Sequence, residues 1–426
     1  MKRTLFLLLT AILLLAAAPP AAAQKFIPQS IQFKGAPEYS NQELLDAAGL
    51  KMGAVLSSAE MKEHSQTLMD TGVFEGITYT FDGVDLVYSL TPFAALYPVR
   101  LVNLPLTPGK ELDAALHDRF PLYHGKAPIE GGLLDSVLHT LEEMLAAQGI
   151  QAKVTAVPFT DQRLRQVTAI SVAISNPPVQ VGEIHLDGAS AAIDPAARQI
   201  LARLTGSSYD LEGTPRRIEV DLGNYYRDKG YLEAAIRATA ERPPVVTPEA
   251  VHISLVVSVL PGQQYKLAGV QLASDLPVTQ AEYDRLSKVH PGAIAEGQRM
   301  REDWQLIERQ YHYKGFMKAE VHSTPSFDRT RGTVNFAVTV DPGPVYQMGK
   351  LTIQNSAEDL RAAMLAAWKL PAGAVFSEEA IGKYYLTQGA NTALGRTFAS
   401  ANCKYILTLN DDTHTVDVVL RLEKRP

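Results

Sequence analysis

From Ser30 onward the chain alternates between two patterns of apolar residues. In some stretches apolar side chains fall on every second position, the mark of a half-buried strand. In others they recur every three to four positions, the mark of an amphipathic helix. The period-two runs are plainest at Val84–Leu90, Val167–Ser175, Val251–Leu260, Thr333–Val340 and Thr415–Leu422. A shorter extended run precedes each, at Ile77–Phe81, Ala152–Val157, Leu232–Thr239, Lys318–Ser323 and Tyr405–Leu409. Turn residues separate several of these pairs, as Asp82-Gly83, Arg331-Gly332 and Asp411-Asp412, so each pair is predicted to be a hairpin.

Before every hairpin stands a helical pattern that closes on glycine. The closures are Leu68 with Gly72, Leu145 with Gly149, Tyr226 with Gly230, Tyr311 with Gly315 and Tyr385 with Gly389. Glycine suits a left-handed helix terminus, and the residue four before it lies on the buried face of the last turn. Successive glycines are 77, 81, 85 and 74 residues apart, so the whole block repeats with a period near 80. Upstream of each helical pattern is a further strand, at Ser30–Phe33, Val99–Asn103, Val181–Leu186, Leu267–Leu272 and Lys350–Gln354. Two helices then follow. Asp194-Pro195 is a helix start with an N-cap and proline at the first helical position, and Arg216–Lys229 and Met300–Lys314 are the clearest second helices.

The predicted order is therefore β-α-α-β-β, five times over. A sheet with one apolar face needs helices to cover it, so the fold class is α+β, a tandem array of about five small two-layer domains. Pro-Gly joints such as Leu260-Pro-Gly and Asp341-Pro-Gly-Pro are too short for floppy linkers, which predicts an elongated rod. Expected domains are 24–94, 95–178, 179–262, 263–344 and a divergent 345–426.

The N-terminus has a different pattern. Lys2 and Arg3, the apolar run Leu5–Leu15, Pro19-Pro20 and Ala21-Ala22-Ala23 before Gln24 read as a signal peptide over residues 1–23. The product is therefore expected to be exported. No later run approaches the roughly 20 apolar residues of a transmembrane helix. Lys and Arg number 40 against 46 Asp and Glu, for a net charge of −6, which disfavours nucleic acid as partner. A single cysteine, Cys403, excludes an intrachain disulfide framework.

Candidate chemistry is sparse. The chain holds no Gly-x-Ser-x-Gly, His-Glu-x-x-His or P-loop pattern, so it is expected not to be an enzyme and to hold no cofactor or metal. His117, His124 and His139 share the second repeat without metal-ligand spacing, and scattered histidines of this kind are ordinarily surface or core residues. Asp82 with Asp85 and Asp411 with Asp412 flank predicted turns, which accounts for them. The tyrosines at the helix ends read as core.

The residues Tyr226…Gly230-Tyr231 and Tyr311…Gly315-Phe316, with Pro-Gly…Tyr joints followed by Gly269 or Gly349, resemble tandem POTRA (polypeptide-transport-associated) domains. These form the periplasmic part of BamA- and TamA-type outer-membrane assembly factors. The resemblance covers roughly residues 26 to 424. The family's β-barrel is not expected in this chain, since Pro426 stands directly after the last predicted strand. The resemblance implies that the first strand of each hairpin lies at the sheet edge, open to an added strand. Leu232, Ala234, Ala235, Ile236 and Ala238 are the candidate peptide-binding edge, because small side chains let a strand approach. Gly72, Gly149, Gly230, Gly315 and Gly389 are the structural helix-end motif.

The implied function is a protein-binding scaffold in outer-membrane protein assembly or secretion. Its partners would be unfolded outer-membrane polypeptides, a barrel, or assembly lipoproteins, with no nucleic acid. The alternatives are a structural adaptor that docks on a separate barrel without client contact, and an exported enzyme with an unrecognised site.

Overall fold

Each predicted hairpin forms, and its second strand becomes the middle of a small sheet. The computed structural model of the protein describes residues 25–93, 95–187, 194–273, 277–387 and 392–424. The predicted signal peptide and Gly389 lie outside them. Among the described residues no helix is long and apolar enough to cross a membrane.

The described residues fall into two compact units. One comprises the chain up to Ile184 with Leu204–Pro215 and Ala240–Leu255. The other comprises His185–Arg203, Arg216–Thr239 and the chain from Val256 on. The division passes through the third repeat.

The first repeat runs β1 (Ser30–Lys34), α1 (Asn41–Ala48), α2 (Ser58–Asp70), β2 (Phe74–Phe81) and β3 (Asp85–Pro92). The second runs β4 (Tyr97–Leu101), α3 (Lys110–Arg119), α4 (Gly132–Ala147), β5 (Lys153–Asp161) and β6 (Gln166–Asn176). The third has β7 (Val179–Asp187), α5 (Pro195–Ala202), α6 (Gly213–Asp228), β8 (Ala235–Ala240) and β9 (Val251–Leu260). The fourth has β10 (Lys266–Leu272), α7 (Gln280–Leu286), α8 (Gly297–His312), β11 (Glu320–Asp328) and β12 (Thr333–Asp341). The fifth has β13 (Gln347–Gln354), α9 (Glu358–Ala367), α10 (Glu378–Leu386), an additional α11 (Ala393–Ser400), β14 (Ala401–Asn410) and β15 (Thr415–Lys424).

The strand orders are β1-β3-β2, β4-β6-β5, β7-β9-β8, β10-β12-β11 and β13-β15-β14. Two-residue strands add to the second and third sheets, and one further pair joins Lys25–Phe26 to Leu56–Ser57. In the first, second, fourth and fifth sheets the opening strand pairs parallel to the middle strand, and the hairpin partner antiparallel.

Local chemistry explains the helix starts. Ser40 with Glu43, Ser57 with Glu60 and Thr279 with Glu282 are capping boxes, in which each side chain satisfies the other's backbone N–H. Asp194 caps α5, accepting from the amides of Ala196 and Ala197, with Pro195 at the first helical position. The middle strands have a buried face. In β9, Val251, Ile253, Leu255, Val257 and Val259 are buried in strict alternation. In the fourth repeat Val334, Phe336 and Val338 of β12 meet Met300, Ile307 and Tyr311 of α8 in one core. That is the two-layer packing an amphipathic helix on a one-sided sheet produces.

Two features depart from the reading of the pattern. The extended run at Leu232–Thr239 is not all strand: β8 begins at Ala235, leaving Leu232 and Ala234 ahead of it. At six residues β8 is shorter than β2, β5, β11 and β14, the outer strands of the other sheets. In the fifth repeat α11 stands between the helix-end region and β14, so the hairpin begins later than the repeat pattern implies.

Candidate functional site

Two features recur along the chain, an open sheet edge and a close joint at the end of the second helix. In every three-strand order the first hairpin strand is outermost, so among the described residues β2, β5, β8, β11 and β14 each carry backbone groups on a side with no neighbouring strand. Such an edge is a template for an added strand unless something blunts it.

Several edges are blunted. On β5 the Val154 N–H donates to the Glu142 carboxylate of α4 at 2.8 Å, and Pro158 has no N–H to offer. Pro325 sits within β11. On β8 the Ala238 N–H donates to the Glu219 carboxylate of α6 at 3.0 Å. The Glu241 N–H, three residues on, donates inward to the Ser254 carbonyl at 2.8 Å. Because successive residues of a strand face opposite sides, the outward donors of β8 are those of Ile236, Ala238 and Ala240. The Ala235 N–H points at β9 instead. No proline interrupts β2 or β14, and on β14 Tyr405 and Ile406 are exposed.

The predicted edge residues thus divide. Ala235, Ile236 and Ala238 lie on β8, with Ala238 buried. Leu232 packs against the core of the fourth repeat instead. Glu233 binds the Tyr265 hydroxyl and the Arg329 guanidinium (2.6 Å to the latter), which holds its carboxyl below its ordinary range. This segment belongs to the joint, and that is why β8 starts late. No periodicity marks Glu142 or Glu219, because their partners are set by where the helix lies on the sheet.

At the joints, the end of one second helix abuts the start of the next. Gly72 (φ 77°) lies against the backbone of Glu130 and Gly131, and a Cβ on it would come within 2.6 Å of the Glu130 carbonyl. Gly230 (φ 83°) accepts from the Tyr265 N–H, and Gly315 (φ 89°) accepts from the Tyr346 N–H. Arg301 of α8 reaches Asp228 of α6 at 2.9 Å, and Glu378 of α10 meets His312 of α8 at 3.1 Å. Gly149 (φ 80°) instead has open space beside it.

The two later joints carry opposite polarity. In the first of them the upstream residue is the acid Glu233 and the downstream turn supplies Arg329. In the second the upstream residue is Lys318 and the turn supplies Asp411, at 2.6 Å. Lys318 and the Tyr346 hydroxyl hold the Asp411 carboxyl below its ordinary range. Each joint therefore accepts its own partner and repels the other's.

Between the first two repeats, Glu43 of α1 faces His117 and His124. Burial raises its carboxyl, but hydrogen bonds from the Ser40 amide and hydroxyl and from His124 outweigh that and hold it at about 2. A depressed carboxylate stabilises the fold above its ordinary 4.5 and loses that contribution as pH falls toward 2. Glu43→Gln should remove this part of the acid dependence. Circular dichroism along an acid titration would show a flatter profile between those limits, and an unchanged profile would refute the assignment.

Residues 265–343, the fourth repeat, match the sequence model of the POTRA family, described as surface antigen variable number repeat. The family match thus covers the fourth repeat, and the other four repeats share its strand order. Over 66 residues the chain is 35% identical to the outer membrane protein assembly factor BamA of Buchnera aphidicola (subsp. Acyrthosiphon pisum). That match covers 16% of this chain and 11% of the relative, far less than two thirds of its length. Among solved structures, POTRA domains 3–5 of Haemophilus influenzae BamA align over 58% of this chain and 96% of their own, at 17% identity and a TM-score of 0.41. POTRA domains 1–3 of Omp85 from Anabaena align over the same shares, at 17% identity and a TM-score of 0.23. The fold assignment rests on the strand order and the family match, not on these superpositions.

Proposed function

We propose that this chain is a periplasmic scaffold, without catalysis, that serves outer-membrane protein assembly by holding extended polypeptide on its outer sheet edges. The observation that carries the reading is the strand order, which puts the first hairpin strand outermost in each repeat. Main-chain hydrogen bonds along such an edge bind with little sequence preference, as transient handling of unfolded chains requires. The similarity to an assembly factor of the outer membrane supports the setting. The domains proposed are 24–94, 95–178, 179–262, 263–344 and 345–426.

The β8 edge offers a graded test. Ile236→Pro removes an outward donor, and Glu219→Ala frees the Ala238 donor that the carboxylate now occupies. With one hydrogen bond worth about 1 kcal/mol, each change should move the Kd by roughly fivefold, weaker for the first and tighter for the second. Fluorescence anisotropy with an extended peptide from an outer-membrane strand, on variants folded by circular dichroism, measures both. Unchanged affinity in both would remove β8 as the site.

A second reading is favoured by the blunted edges. Glu142, Pro158, Glu219 and Pro325 all lower the capacity for strand addition, which fits an adaptor that docks on another outer-membrane component without touching clients. If the unmodified chain binds no such peptide, the adaptor reading stands and the scaffold reading falls.

A further inference from the structure

Glu43 starts as a helix-capping residue. Its Oε2 accepts from the Ser40 N–H at 2.6 Å, which fixes the carboxylate on the first turn of α1 and leaves Oε1 facing away from the cap. Two imidazoles of the second repeat converge on that oxygen. His124 Nε2 lies 2.9 Å from it and His117 Nε2 lies 3.4 Å from it, with ring centroids 5.1 Å apart. His117 Nδ1 is 3.2 Å from the Tyr123 carbonyl. A carbonyl only accepts, so the Nδ1 carries a proton, and Nε2 is the ring atom turned toward Glu43.

We propose that Glu43, His117 and His124 form a binding site for a divalent cation of the zinc class, clamping the first repeat to the second. Around a tetrahedral zinc with bonds of 2.0–2.1 Å, neighbouring ligand atoms lie about 3.3 Å apart. The three candidate ligand atoms all lie within 4.8 Å of one another, and two of the three separations bracket that value. The Tyr123 carbonyl orients His117 from behind, as outer partners do for metal-bound histidines, and the Ser40 amide does the same for Glu43. Two imidazoles and one carboxylate leave a fourth position, and a cleft of about 370 Å³ lined by Asp113, His117, Tyr123 and His124 opens beside them for water. Neither the spacing of the histidines nor their repeat predicts this cluster, because its third ligand comes from another repeat. His139 takes no part and lies against Glu142 and Glu143.

Isothermal titration of the full chain with Zn²⁺ alone tests the site, with thermal melts beside it. One equivalent should bind and raise the melting temperature. His117→Gln, His124→Gln and Glu43→Gln should each weaken binding at least tenfold, roughly the scale of metal-site losses. Glu43→Gln can keep the helix cap, so its loss reports the ligand rather than the fold. His139→Gln should bind as the parent does. No binding by the parent would overturn the proposal and leave an ion-pair cluster only. It would equally be overturned if the three ligand variants kept full affinity while His139→Gln lost it.

Discussion

Gly315→Ala is expected to destabilise the joint of the fourth and fifth repeats by about 2–4 kcal/mol, a large effect for one methyl group. Gly315 has φ 89°, and the left-handed conformation alone costs an L-residue about 1–2 kcal/mol. The added Cβ would also stand 2.7 Å from Val375 Cγ1 and 3.1 Å from the carbonyls of Phe376 and Tyr346. Val375 can swing aside; the two carbonyls are backbone and belong to the joint. Gly373→Ala is the matched control, since Gly373 has φ 81° with nothing within 4 Å of the new Cβ. It should lose only the conformational share. The chain has two tryptophans, Trp304 packed in the fourth core and Trp368 in the fifth, so fluorescence during urea unfolding reports both sides of this joint. A Gly315→Ala loss no greater than that of Gly373→Ala would mean that the glycine serves the helix end alone.

Asp303→Ala should cost a similar amount in the fourth repeat, about 2–4 kcal/mol, for a different reason. Asp303 is 3% exposed, on the inner face of α8, and accepts from the Tyr283 hydroxyl at 3.0 Å and from the Ser287 hydroxyl. Alanine removes the acceptor and leaves a buried tyrosine O–H without a partner, at about 1–3 kcal/mol for such a group. Asp303→Asn keeps an acceptor oxygen and should lose less than the alanine variant. Trp304, the next residue, gives the optical signal. If asparagine and alanine lose equally, the carboxylate is not the hub of this hydrogen-bonded group. If neither loses stability, Tyr283 and Ser287 find other partners and the account of this core fails.

Much of this protein is written in short stretches of chain. The alternation from Val251 to Val259 is enough to make a strand with one buried face, because side-chain direction in a strand is a property of consecutive residues. Asp194-Pro195 is enough to start a helix, since the cap and the preset φ act within one turn. The β-α-α-β-β order follows from such local signals repeated along the chain. Which residues meet across repeats follows from none of them. Leu232 and Glu233 continue an extended run, yet the neighbouring core and Arg329 draw them out of the strand. Glu142 and Glu219 are ordinary helix-face acids until the helix is laid on the sheet and an edge N–H comes within reach. Glu43 and His124 stand 81 positions apart, and only the packing of α1 against the second repeat brings them to 2.9 Å. Periodicity sets the face on which a side chain lies, and the docking of one face on another sets its partner.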